Sequence, residues 1–77
     1  MPALSALRRR RMLTQRALAE KAGVALSTVY GLEAGHRPRP RFGVMQQIAV
    51  ALGVDPAEVD EFRPALGLDS ERKRVAA

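Results

Sequence analysis

The side chains with chemistry to offer are mostly arginines, and they cluster. Arg8, Arg9, Arg10 and Arg11 stand in a row, Arg16 and Lys21 follow, and Arg37, Arg39 and Arg41 alternate with Pro38 and Pro40. Guanidinium forks suit phosphate and carboxylate oxygens. Residues 1–41 carry nine basic groups against Glu20 and Glu33, a net +7, whereas residues 42–77 net −2. A polyanion-facing surface therefore belongs to the first half and the loop that ends it. Other chemistry is scarce. There is no cysteine and one histidine, His36, so neither a thiolate zinc site nor an imidazole cluster can form. No glycine-rich phosphate loop or paired catalytic carboxylates are legible, and 77 residues leave little room for a deep cleft. No cofactor and no enzymatic activity are expected. The three aromatics, Tyr30, Phe42 and Phe62, make a poor base-stacking platform, which disfavours RNA and single strands.

These groups must be positioned by helices. No stretch alternates apolar and polar residues as a strand would. Leu4 to about Met12 has helical spacing, with Leu4 and Leu7 inward and the stem of Arg11 or Met12 next on the stripe. Thr14 is a good N-cap for a second helix, Gln15 to Lys21, with Leu18, Ala19 and Ala22 inward and Gly23 as its stop. A third helix spans about Leu26 to Glu33, with Val29 and Leu32 inward, and stops at Gly35. Residues 36–41 form a proline-bearing loop. A fourth helix runs from about Arg41 to Leu52, with Val44, Met45, Ile48, Ala49 and Leu52 on one stripe. Asp55, Pro56 and Glu58 supply a cap, a first helical residue and a capping-box partner for a short fifth helix ending near Phe62. The chain thus divides into a compact all-α five-helix domain, residues 1–62, and a C-terminal tail, residues 63–77. The tail is flexible or contacts a second subunit or partner. No run approaches the roughly 20 apolar residues that span a bilayer, so no membrane partner and a cytoplasmic location are expected.

The informative stretch is residues 15–34. Two short helices meet across a tight turn, and their crossing at roughly 90–120° tolerates only a small residue on the first helix. Ala19 supplies it, and Gly23 supplies the positive-φ turn. Leu18, Ala22, Val24, Val29 and Leu32 are the apolar positions that wedge the pair onto the other helices. This is the pattern of a helix-turn-helix.

On these residues, together with Leu13-Thr14-Gln15, Ser27-Thr28-Val29, Leu32-Glu33-Ala34-Gly35, Pro40 and the run Ile48 to Val54, the chain resembles the lambda-repressor-like (XRE-type) helix-turn-helix domains of phage repressors and bacterial regulators. The likeness covers about residues 4–62. It implies a five-helix fold whose third helix enters the DNA major groove, and dimers on an operator. It implies that Gln15 meets a phosphate and the N-terminal end of the recognition helix. Leu26, Ser27, Thr28, Tyr30 and Gly31 match positions near bases or the adjacent backbone. Ser27 and Thr28 can hydrogen-bond, whereas Leu26 offers only apolar contact, as to a thymine methyl. Tyr30 alternatively pads the flank of the third helix. Arg16 is placed to meet phosphate, and Arg37, Arg39 and Arg41 match the segment that clamps the flanking backbone, with Arg41 within reach of the minor groove. An arginine of the first helix is paired with the glutamate closing the third, here Arg8 and Glu33. Arg9, Arg10 and Arg11 are expected in water or near phosphates, because residues on a helix advance about 100° each.

Two departures stand out. Met12 replaces a frequent glycine, and Ala25 replaces a Ser or Thr that caps the third helix, at a cost of about 1 kcal/mol. With Gly31 also lacking a side chain, few groups remain to read bases, so backbone contacts and DNA shape are expected to carry much of the recognition.

The function implied is a sequence-specific double-stranded DNA-binding regulator, a repressor acting as a homodimer on a palindromic operator. The alternative is an antitoxin-like or adaptor module that binds a protein partner through the tail, with or without DNA. The dimer surface is expected on the fifth helix and tail, where Val59, Phe62, Leu66 and Leu68 offer apolar surface.

Overall fold

The computed structural model describes residues 2–36 and 40–67. Four α-helices, α1 (Leu4–Arg10), α2 (Gln15–Ala22), α3 (Leu26–Ala34) and α4 (Phe42–Leu52), precede two single turns of 3-10 helix, Pro56–Glu58 and Asp60–Phe62. No strand occurs among the described residues. α2 packs against both α3 and α4, α1 against α3, and α4 against the first 3-10 turn. The core is wholly apolar: Leu4, Leu7, Leu18, Val29, Leu32, Met45, Ile48, Leu52, Val59 and Phe62 are its larger members. No polar or charged residue is buried outright among the described residues. The charged side chains thus sit on or at the edge of an apolar core.

Local signals set most boundaries. The Thr14 hydroxyl accepts the Ala17 amide at 3.0 Å, so α2 begins where its cap dictates. Gly23 closes it in the left-handed conformation, φ 73°, and its neighbour Val24 donates back to Ala19. Gly35 and Gly53 close α3 and α4 in the same way. α1 uses the same bond pattern, Met12 donating to Arg9 and Leu13 to Arg8, but the left-handed residue is Met12 at φ 57°. α1 accordingly stops at Arg10 rather than near Met12, and the methionine pays the steric cost that glycine avoids.

The fifth helix is where expectation and structure part. Asp55 and Glu58 do form the capping box: the Asp55 carboxylate accepts from Ala57 and the Glu58 carboxylate from the Asp55 amide. No α-helix follows. Val59 is extended (φ −95°, ψ 118°) and separates the two 3-10 turns. Val59 and Phe62 are both fully buried, the first from the extended link and the second from the end of the second turn.

That burial also removes Val59 and Phe62 from the expected dimer surface. Ala65 and Leu66 pack on the core as well, and Leu66 donates its amide to the Phe62 carbonyl, so packing continues past residue 62. Leu68 and the rest of the tail lie outside the described residues. Large exposed apolar side chains instead include Phe42 (70% exposed) and Val50 (73%), eight residues apart on α4.

Two long-range bonds join the start of α1 to the second 3-10 turn. α1 has no side-chain cap of its own, and its Leu4 amide donates to the Glu61 carboxylate at 2.7 Å. The Asp60 amide donates to the Pro2 carbonyl at 3.0 Å.

Candidate nucleic-acid interface

The site grows from the closing turn of α3. Glu33 there meets Arg8 of α1 in a two-pronged pair, Nε to Oε2 at 2.7 Å and Nη2 to Oε1 at 3.1 Å. Both side chains are about nine-tenths covered. The Arg8 Nη1 also donates to the Leu13 carbonyl at 2.8 Å, in the turn between α1 and α2. The hydrogen bond to Glu33 raises the arginine's pKa above its ordinary value, its charge adds to that, and desolvation opposes it. One guanidinium therefore ties α1, the following turn and α3 together. A pair this well shielded is costly to break, because either partner alone would be a nearly buried charge.

Gln15 joins the same cluster. Its side-chain amide donates to Glu33 Oε1 at 3.1 Å. The resemblance placed Gln15 near the N-terminal end of α3; in the structure its amide is on the C-terminal turn instead, drawn there by the carboxylate. Arg16, next in the chain, is exposed on the first turn of α2.

The outer side of α3 is different. Leu26, Ser27 and Tyr30 are exposed and Thr28 is half-buried, whereas Val29, Gly31 and Leu32 are buried. Gly31, expected near bases or the adjacent backbone, is thus buried in the structure. No side chain caps α3 at Ala25. Ser27 does not take over that role, so the helix starts with its first amides uncapped and no acidic group in its first turn. The Tyr30 ring meets the His36 ring edge-on, centroids 6.3 Å apart. That contact ties Tyr30 to the start of the following loop rather than flat against the helix flank.

Arg41 is exposed at the N-cap of α4. Arg37 and Arg39 lie outside the described residues. Of the α1 arginines, Arg9 and Arg10 are exposed. Arg11 is not a free cation: its Nε donates to the Leu52 carbonyl at 2.9 Å, at the C-terminal end of α4. Unsatisfied carbonyls and the negative end of the helix dipole attract it there. The sequence held a cue for this, since Arg11 lies four residues after buried Leu7 and so shares its side of α1. No comparable local cue pointed to Glu61 as the cap of α1. Among the described residues, no group of three or more His, Cys, Asp or Glu could hold a metal ion, and no helix is long and apolar enough to cross a membrane.

The arrangement is thus two short helices joined at Gly23, the second anchored at its last turn and bare on its outer side, with cations at the starts of α2 and α4. Neither comparison with curated proteins nor with solved structures gives a match. Residues 3–62 match a family model described as a helix-turn-helix domain. That span holds α1 to α4, both 3-10 turns and the Arg8–Glu33 anchor, and on it the chain belongs to the helix-turn-helix domain family.

Proposed function

We propose that the protein is a sequence-specific double-stranded DNA-binding regulator of the lambda-repressor-like (XRE) type. α3 enters the major groove of a palindromic operator, a homodimer occupies the two half-sites, and occupancy represses transcription in the cytoplasm. The observation that carries this reading is the contrast within α3: a last turn fixed by Arg8 and Gln15, and an outer side where Leu26, Ser27 and Tyr30 stand open. Ser27, Thr28 and Tyr30 supply hydrogen-bonding groups to base edges and adjacent backbone. Arg16 and Arg41, with Arg37 and Arg39, supply the phosphate contacts, and Gln15 reaches phosphate by leaving or sharing Glu33.

The second subunit takes the outer side of α4. Phe42, Gln46 and Val50 follow one another at four-residue spacing, all exposed, and border a groove of about 370 Å³ with Val54, Pro56 and Leu66. α4 carries no charged residue. A second copy of a chain with net charge +5 can approach an uncharged face without close repulsion.

Selection of duplexes from a random pool, read by sequencing, tests the reading. A repeated half-site with centres about 34 Å apart is expected. Enrichment of no duplex over random DNA overturns it. Sedimentation across a concentration series should show dimers that Val50→Arg abolishes. A monomer at every concentration, on and off DNA, hands the α4 face to a different protein, the antitoxin-like or adaptor reading.

A further inference from the structure

The open side of α3 has an unusual chemical composition for a helix that reads bases. The nine residues of α3 include one charged side chain, Glu33, and no carboxamide, and Glu33 is already held by Arg8 and Gln15. Arginine or lysine to guanine, asparagine or glutamine to adenine, and a free carboxylate to cytosine are the strongest direct pairings in the major groove. None is available from the exposed residues of this helix. Apart from the Ser27 hydroxyl, what its outer side exposes is mainly apolar. Leu26, the first helical residue, is 39% exposed, and Tyr30, four residues on and so on the same side, is 55% exposed. Residues at that spacing lie about 5–6 Å apart, so the two form one strip. His36 braces the ring of Tyr30 from the side.

In the major groove the one apolar mark on a base edge is the methyl at C5 of a pyrimidine. Thymine carries it, and 5-methylcytosine carries it at the same position. We infer that the Leu26–Tyr30 strip is a reader of pyrimidine C5-methyl groups, and that these methyls are the main direct base contacts of the protein. The inference rests on α3 entering the major groove. Ser27, exposed beside the strip, is left to bond a base-edge acceptor or phosphate, which fixes the register of the strip but discriminates little on its own.

The test uses the full chain and the best duplex from the random-pool selection. Thymines are replaced one at a time by deoxyuridine, which removes the methyl and nothing else. At one or two positions per half-site, affinity by fluorescence polarisation should fall about fourfold per methyl, the value of one buried CH₂-sized group. Leu26→Ala should weaken binding to the thymine duplex and lose most of its sensitivity to deoxyuridine at one of those positions. Alanine is a strong helix former, and a melting curve verifies that the variant is folded. Cytosine and 5-methylcytosine at the same positions separate the two sources. If 5-methylcytosine restores binding that cytosine loses, the strip reads the methyl on either base; if thymine alone is accepted, the methyl it reads is thymine's. A duplex bound with clear sequence preference but indifferent to deoxyuridine everywhere overturns the methyl reading and leaves DNA binding standing. An undiminished deoxyuridine effect in Leu26→Ala, at every sensitive position, removes Leu26 from it. Enrichment of no duplex at all brings down the DNA reading and this one together.

Discussion

The two ends of α3 are built on opposite principles. Its last turn is held by three hydrogen bonds to Glu33, two from Arg8 and one from Gln15. Its first turn has no side-chain cap and turns Leu26 and Ser27 outward. α2, by contrast, is capped at its start by Thr14. Rigidity in this small domain is concentrated at the closing turn of α3. A helix fixed at one end by a two-pronged ion pair keeps its angle to α1 and α2, while the free end stays available for an external partner. The order runs from sequence to function: Arg8 and Glu33 meet because α1 and α3 pack, the pair orients α3, and the orientation presents the outer strip.

The held end is the more sensitive of the two. Glu33→Ala leaves Arg8 nearly buried without its carboxylate and should cost about 3 kcal/mol. For a domain of this size that lowers the Tm by more than about 10 °C, measurable by circular dichroism. The joint replacement Arg8→Met with Glu33→Leu should cost clearly less, since no orphan charge remains; an equal loss would mean that the pair contributes by attraction alone. At the open end the balance reverses. Ser27→Ala should leave stability within about 0.5 kcal/mol and weaken duplex binding while changing preference at any one base position by less than about 1 kcal/mol, read by competition binding with substituted duplexes. Arg41→Ala, off α3, should weaken all duplexes alike, roughly tenfold at 0.1 M salt, and reduce the slope of log affinity against log salt by about 1. Ala25→Ser supplies the missing cap and should add about 1 kcal/mol to stability with no gain in duplex affinity, because the new hydroxyl occupies the amides. A rise in affinity parallel to stability would show that the open end is a defect and not a docking point. Met12→Gly, at neither end, should stabilise by up to about 1 kcal/mol and leave binding unchanged.

Much of this was legible in the sequence because it depends on near neighbours. Thr14 and Gly23 bound α2, Gly35 and Gly53 end their helices, and the capping box at Asp55 and Glu58 forms as read. The apolar stripe of α4 is also a local pattern, and the core takes it as expected. The open side of α3 was implied by the family resemblance and not by periodicity: Leu26, Ser27 and Tyr30 are exposed, but Gly31 is not. What escaped depends on distant partners. Arg11 reaches a helix end 41 residues away, and no rule of helix spacing names that carbonyl. The fifth helix failed because a capping box announces a start and not a continuation, and the chain turns extended at Val59. Burial of Val59 and Phe62 explains why those two residues could not also serve a dimer.

The bond from Leu4 to Glu61 spans 57 positions of chain. Its consequence lies in the timing of folding on the ribosome. At a synthesis rate of about 5–20 residues per second, the first helix waits roughly 3–11 s for its capping carboxylate to be made. Until then its leading amide has only water, and a seven-residue helix with no cap is too short to persist alone. α1 is therefore made well before its first amide can be secured. Any cleavage before residue 61 would loosen the opposite end of the domain, carrying with it the grip of Arg8 on α3.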